Sequence, residues 1–240
     1  MTDQRSAHEI EANGYKLGLN PMFGEWSKRF GLAPITREAT NAARRSFRDS
    51  LQAELQNSFL FSGEVSLTMT LYLIEHKMLE DAKYGDLDNH MKPLLDALKG
   101  PDGLLVDDSQ VQHMVASWID VPGEEFFELE IKASPDDFIM KPVKLYEMPN
   151  GLFYPISTFT WSPEGPKEIR SDLTALQLRT LANLTGDRKF RRHELVQNGA
   201  SKLEAFERTR RMAPVQMGFH KSKVVESGFE RVAFREWSDA

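Results

Sequence analysis

The sequence contains no cysteine, and this absence excludes disulfide bonds and thiolate metal sites. It also has no apolar run near the roughly 18–20 residues that a membrane-spanning helix needs. The polar, acidic start MTDQRSAHEIEANGYK has no apolar core of the kind a signal peptide carries. Gly-rich phosphate loops, H-E-x-x-H and G-x-S-x-G are missing too, so a serine or cysteine nucleophile has no support. We therefore expect a cytoplasmic globular protein that makes no membrane contact.

The charge is unevenly spread along the 240 residues. The net charge of −6 argues against a generally basic surface that coats nucleic acid. Residues 1–137 carry 13 Lys and Arg against 24 Asp and Glu, a net of −11, whereas residues 138–240 carry 17 against 12, a net of +5. Such a division indicates that the C-terminal part is the better candidate for meeting a polyanion.

Apolar periodicity predicts both helices and strands in the first half of the chain. Apolar residues four apart predict a helix that begins at Thr36. Strict alternation predicts a half-buried strand over 65–73. A second helix is predicted over 88–99, with Pro93 in or just after its first turn, where the missing N–H costs least. This mixture is typical of an α+β layer fold.

Two further strands are predicted over 107–120, after a short turn, and over 126–132. The Pro122-Gly123 turn between them predicts a hairpin. The stretch SPDDFIMKP marks a boundary near residue 137. We expect an N-terminal segment over 1–35, an α+β domain over 36–137, and a basic C-terminal extension of mixed, partly helical character over 138–240.

An acidic constellation surrounds the predicted helix 88–99. Asp86 and Asp88 precede or open it, and Asp107 and Asp108 open the strand after it. Because a helix packed on a sheet returns the chain to its starting edge, one of the second pair can lie beside the first pair. Hard divalent cations prefer such carboxylates, and Lys92, four residues after Asp88, could face a phosphate. Each residue also has a simpler interpretation, as a helix cap, a solvated turn or a surface lysine.

The stretch DLDNHMKPLLDAL, a glycine-containing loop and VDDSQV together resemble the signature of RusA-type Holliday-junction resolvases. The resemblance spans about residues 36–135 and rests on several separate elements in the expected order. These elements are Asp86, Asp88, Asn89, Lys92, the helix Leu95-Asp96-Ala97-Leu98, Asp107, Asp108 and Gln110.

The resemblance implies an α+β fold with a RusA-like mixed sheet and packed helices, acting as a homodimer. It implies Mg²⁺, with Mn²⁺ as a substitute, and paired symmetric cuts in four-way DNA junctions during recombination and repair. By position, Asp86, Asp88 and Asp108 would be the metal-binding carboxylates and Lys92 the catalytic lysine. The loop before the pair is about one residue longer than in compact members, so Asp107 could take the place of Asp108.

Two further hypotheses stay open beside the junction nuclease: a binding module of the same fold that has lost turnover, and a nuclease acting on flaps or RNA. Members of the family tend to carry basic residues before the motif, whereas this chain has Glu80 and Asp81 there. His90 is interpreted as a surface histidine. The candidate DNA contacts, of which the C-terminal ones could equally form a solvated helical face, are Lys83, Asn89, Arg188, Lys189, Arg191 and Arg192.

Overall fold

A computed structural model describes most of the chain and divides it into two compact units, Met1–Phe138 (unit 1) and Ile139–Ala240 (unit 2). No described helix is both long enough and apolar enough to cross a membrane. The described residues are 11–12, 15–16, 19–20, 24–55, 59–81, 84, 86–135, 137–162, 165–169, 171–209 and 217–238.

Unit 1 contains both helices and strands, which confirms the predicted α+β class. Its described helices are α1 (Asn41–Leu55), α2 (Glu75–Glu80) and α3 (Leu87–Leu98), with a short 3-10 helix at Asp108–Gln110. Its described strands are β1 (Glu11–Ala12), β2 (Tyr15–Lys16), β3 (Leu19–Asn20), β4 (Glu25–Phe30), β5 (Phe59–Phe61), β6 (Val65–Ile74), β7 (Val111–Val121) and β8 (Phe126–Ala133), and β9 (Phe138–Met140) begins at its last residue.

The main sheet of unit 1 has the order β3-β4-β8-β6-β7. β6 pairs in parallel with β7 and antiparallel with β8. The predicted hairpin between β7 and β8 is therefore wrong, because the two strands lie on opposite edges of β6. The connection 122–125 needs to cross only two strand spacings, about 10 Å, which four residues can span.

β6 buries one face in the core of unit 1. Every second side chain from Val65 to Leu73 is buried, as the period-2 pattern predicts. α1 contributes Phe47, Leu51 and Leu55 to the same core. The ring of Phe47 lies 6.0 Å from that of Phe127 on β8, a tilted aromatic pair that fixes the helix against the sheet.

α1 starts later than the sequence predicts. The Thr40 hydroxyl accepts a hydrogen bond of 3.2 Å from the backbone N–H of Ala43, three residues on, so Thr40 is the N-cap. The carbonyl of Thr36 instead accepts from the N–H of Ala39 at 3.1 Å, which forms a turn ahead of the helix. The prediction of a helix from Thr36 was therefore wrong by about one turn, because two threonines four residues apart offer the same capping signal.

Pro93 lies deeper in α3 than predicted, at the seventh residue of the helix. A proline there has no N–H to donate to the carbonyl four residues earlier, that of Asn89. The N–H of Arg37 takes this place, at 2.8 Å from the Asn89 oxygen. The carbonyl that Pro93 leaves without a helical donor therefore joins the segment before α1 to the start of α3.

Glycines end α3 and turn the chain back toward β7. Gly100 has φ of 99°, a conformation that L side chains rarely adopt. At Gly103 an added Cβ would lie 2.1 Å from the carbonyl oxygen of Leu98, so only glycine permits this close approach. The β6–α3–β7 crossover then returns the chain to the start of β6, where Val111 pairs with Val65, and brings Asp108 within hydrogen-bond distance of Lys92 on α3.

Unit 2 packs a long helix on a small sheet of order β14-β11-β10-β15. Leu178 and Leu181 of this helix join a core with Tyr146, Tyr154 and Ile156 of the sheet. The basic stretch 187–195 lies inside this helix, α4 (Ser171–Gln197), and does not interrupt it. The described elements are β10 (Val143–Glu147), β11 (Leu152–Ser157), β12 (Phe159–Ser162), β13 (Gly165–Glu168), β14 (Phe219–His220), β15 (Arg231–Val232), α4 (Ser171–Gln197), α5 (Lys202–Thr209), α6 (Lys221–Val224) and α7 (Phe234–Ser238).

Candidate active site

Two carboxylates lie at the N-terminal end of α3. Asp86 occupies the N-cap position, but its side chain makes no capping hydrogen bond and is exposed to solvent. Asp88 lies in the first turn, where the partial positive charge of the helix end favours a carboxylate. Its side chain is 68% exposed, and its Oδ2 lies 3.7 Å from Nη1 of Arg37. Both carboxylates are therefore open to a ligand from solvent.

Lys92, Asp96, Lys99 and Asp108 form a four-membered ion cluster that joins α3 to the start of β7. Lys92 Nζ donates to Asp96 Oδ1 at 2.9 Å and to Asp108 Oδ2 at 3.1 Å. Lys99 Nζ reaches the same two oxygens, at 2.8 Å and 3.4 Å. Two lysines and two aspartates neutralise one another here, so Asp108 is held on Lys92 rather than exposed as a free charge.

The cluster shifts the pKa of each carboxylate and of Lys92 toward the charged form. Burial would raise the pKa of Asp108, but hydrogen bonds and charge from Lys92 and Lys99 outweigh it and hold that pKa below the ordinary value. Asp96 behaves in the same way beside Lys99 and Lys92. Burial would lower the pKa of Lys92, but its two carboxylate partners raise it instead. All three groups are consequently ionised at neutral pH.

Asp107 and Asp108 have different environments despite being adjacent. Asp107 is 5% exposed, and its Oδ1 accepts a hydrogen bond from the N–H of Ser109 at 3.1 Å, which caps the short 3-10 helix. The Asp108 side chain is 23% exposed and bound to Lys92. Asp107 therefore stabilises the 3-10 helix, whereas Asp108 faces α3.

The family model for Endodeoxyribonuclease RusA matches residues 19–133. This chain carries a RusA-family domain. No curated protein matches the chain. The match includes α1, α3, the ion cluster and every strand of the main sheet, so the predicted resemblance is confirmed and begins further upstream than residue 36.

Carboxylates such as those of the RusA domain are the ligands that a hard divalent cation prefers. Nucleases of this family depend on metals in general. Among the described residues, however, no three Asp, Glu, His or Cys side chains lie close enough together to hold one. Asp108 is directed at Lys92 and Lys99, and Asp88 at Arg37. Lysine and arginine side chains of the domain therefore balance the charge of Asp108 and Asp88 in this structure.

Asn89 and His90 lie in the interior of the RusA domain. Asn89, a candidate DNA contact from the sequence, is only 3% exposed. His90 is 1% exposed, so its interpretation as a surface histidine was wrong. Its Nε2 lies 3.0 Å from the carbonyl oxygen of Tyr84, and the ring of Tyr84 stands edge-on to it at 5.0 Å. His90 thus anchors the segment that leads into Asp86, and i, i+4 spacing with the apolar Leu94 is the signal for its inward direction.

The remaining candidate DNA contacts lie on α4 of unit 2, apart from Lys83, which falls outside the described residues. Lys189 and Arg191 are exposed, and Arg191 pairs with Glu194 at 2.5 Å. Arg188 and Arg192 are half-buried. Arg192 Nε donates to Thr209 Oγ1 on α5 at 3.0 Å, so its guanidinium helps to hold α5 on α4.

Sequence reasoning gave no role in the site to three charged residues that the structure places there. Asp96 and Lys99 complete the ion cluster, and Arg37 approaches Asp88 from outside the motif. Lys99 follows Lys92 by seven residues, which places both on one helix face, so the spacing could have revealed it. Arg37 is brought there by its backbone bond to Asn89, a tertiary contact that no local pattern encodes.

Proposed function

We propose that this chain is a divalent-metal-dependent endonuclease that cuts branched DNA, with four-way junctions as the preferred substrate. The observation that carries the proposal is the contact between Lys92 and Asp108, at 3.1 Å. It places a lysine and a carboxylate from distant parts of the RusA motif together, one helical turn from Asp88. A binding-only descendant of the family has no chemical need for this set.

In the proposed site, Asp86, Asp88 and Asp108 would hold Mg²⁺ or Mn²⁺, and Asp107 caps the 3-10 helix. A bound divalent cation supplies charge neutralisation at the phosphate and a water of lowered pKa. Lys92 lies on the same helix, 56% exposed, with an ammonium that can bind a phosphate oxygen and stabilise its developing negative charge. Release of Asp108 from Lys92 frees both groups for these roles.

The proposal is tested by incubating the protein with a labelled synthetic four-way junction, a linear duplex and a single strand, with and without Mg²⁺. We expect symmetric cuts in the junction that require Mg²⁺, and much slower cutting of the two linear substrates. Equal cutting of all three would remove the junction preference and keep the nuclease. Tight binding without any cutting would instead favour a binding module that has lost turnover.

We propose further that the active form is a homodimer assembled through β7, because paired symmetric cuts require two sites related by a two-fold axis. In the described part of the chain, this strand of eleven residues pairs with β6 alone and forms the edge of the sheet. Its side chains Val115, Trp118 and Ile119 are 44%, 37% and 46% exposed. A long apolar edge of this kind is prone to pair with another strand, and the same edge of a second copy is self-complementary.

Ile119→Lys should convert the dimer to a monomer, because a charge would be buried at the joined edges. Light scattering coupled to size-exclusion chromatography measures the mass directly. Leu79→Lys serves as the matched control, since Leu79 is a 72% exposed leucine on α2 and not on this edge. A monomeric wild-type protein, or an Ile119→Lys variant with unchanged mass, would rule out the β7 dimer.

A further inference from the structure

The N-terminal half of α1 carries an arginine cluster that the RusA motif does not include. Arg44, Arg45 and Arg48 are exposed on this helix, and Arg37 is exposed in the segment before it. No acidic residue lies in the first turn of α1. Cations near a helix N-terminus oppose the helix dipole, so helix stability does not account for these arginines.

The three helical arginines line a surface groove of about 340 Å³ between α1 and α3. Its other lining residues are Asn41, Pro93, Asp96 and Ala97. Arg44 and Arg45 each bond a backbone carbonyl of their own segment through Nε, those of Ala39 at 2.9 Å and Asn41 at 3.3 Å. Each bond occupies one of five guanidinium donors. Among the described residues Arg44 and Arg45 form no ion pair, whereas Arg48 pairs with Asp49 at 3.5 Å and Arg37 with Glu38 at 3.1 Å, each through Nε alone.

The groove shares Asp96 with the ion cluster of the proposed active site. Asp96, the acidic residue in its wall, is already neutralised by Lys92 and Lys99, the two lysines that also hold Asp108. In the segment before α1, Arg37 lies 3.7 Å from Asp88. A chain of cationic donors thus leads from α1 to both groups of proposed metal ligands.

We propose that this groove binds the phosphodiester backbone of the DNA arm that leads into the active site. The inference rests on the proposed nuclease function and names the surface that supplies DNA affinity within an otherwise acidic unit. Guanidinium groups bind phosphate oxygens in a bidentate manner, and a row of them along a helix follows a strand backbone without reading its sequence. The groove places this DNA affinity in unit 1, whereas the charge distribution of the sequence had indicated the C-terminal extension.

The test is a triple variant, Arg44→Gln, Arg45→Gln and Arg48→Gln, in the full chain. Binding to a fluorescent four-way junction is measured in EDTA, where no cutting occurs, over a series of salt concentrations. We expect affinity to fall about tenfold or more, and the slope of log affinity against log salt to become shallower by about 2 to 3, since each phosphate contact contributes about 0.9. The corresponding triple Arg→Lys variant should keep most of the slope, because it retains the charge.

The matched control is Lys202→Gln, Arg231→Gln and Arg235→Gln, three exposed cations of unit 2 whose loss changes the net charge equally. An unchanged slope in this control supports the groove. A slope in the α1 variant equal to wild type overturns it, even if wild type cuts junctions and the proposed function stands. Conversely, a shallower salt dependence of binding in the α1 variant supports the groove even if the wild-type protein cuts nothing. The absence of cutting would defeat only the proposed nuclease function.

Discussion

Asp88→Asn is expected to lower the rate of junction cleavage by about 10³-fold or more, since the lost carboxylate removes several kcal/mol of metal binding and charge balance. Junction binding should persist or tighten slightly, because the substitution removes a negative charge close to the phosphates. Folding should be unaffected, since the side chain is 68% exposed and its only ion pair in the described structure is the long one to Arg37. Single-turnover cleavage is measured in Mg²⁺, and binding is measured by gel shift with Ca²⁺ in place of Mg²⁺. The two assays separate the effect on cleavage from the effect on binding.

Asp102→Asn provides the matched control for this prediction. Asp102 is an exposed aspartate in the loop after α3, so the same chemical change is made close to the site but not in it. Its cleavage rate should stay within a factor of about two of wild type, since surface substitutions away from special contacts change little. Undiminished cleavage by Asp88→Asn would mean that the metal is held elsewhere.

The strands and helices with a strong period could be predicted from the sequence, and β4 could not. In β4 the buried residues Trp26 and Phe30 are four apart, a spacing that also suits a helix. Lys28 lies between them on the same face of the strand, and its ammonium donates to the carbonyl oxygen of Glu54 in α1. A lysine that is satisfied by a distant helix end breaks the alternation, so only the tertiary structure identifies the strand.

Strand pairing was the second feature that the sequence did not contain. The alternation of β6 and β8 was clear, but alternation specifies which face is buried and not which strand is adjacent. Pro122-Gly123 therefore predicted a hairpin, although β7 and β8 both pair with β6 instead. β6 is an interior strand of the sheet, paired with β7 on one side and with β8 on the other, which its burial pattern does not encode.

The residues proposed for the site were identifiable because the motif combines chemistry with order along the chain. The charge partner Arg37 was not, since it takes its place through a tertiary contact with α3, whereas the seven-residue spacing from Lys92 could have revealed Lys99. The structure thus places cations beside two of the proposed carboxylates, Arg37 at Asp88 and the two lysines at Asp108. A metal ion at the proposed site would therefore compete with these internal ion pairs.

Gln110 is expected to be the side chain of the motif whose loss most damages the fold. It is fully buried and hydrogen-bonds four backbone groups: the N–H of Val106 and Asp107 through Oε1, and the carbonyls of Phe61 and Gly63 through Nε2. Gln110→Leu keeps the volume but leaves these groups unpaired. At about 1–3 kcal/mol for each buried group left unsatisfied, unit 1 should lose roughly 4 kcal/mol or more of its free energy of unfolding.

Gln112→Leu makes the same chemical change two residues along, where the side chain is exposed and donates one bond of 2.9 Å to the Ser109 carbonyl. Hydrogen exchange of peptides that contain Val106 and Asp107 measures the local effect without assuming that the two units unfold together. We expect strongly faster exchange in Gln110→Leu and little change in Gln112→Leu; similar exchange in both would show that Gln110 does not hold the loop. Because the same amides precede Asp108, loss of Gln110 should also lower cleavage, through displacement of a carboxylate that Gln110 never touches.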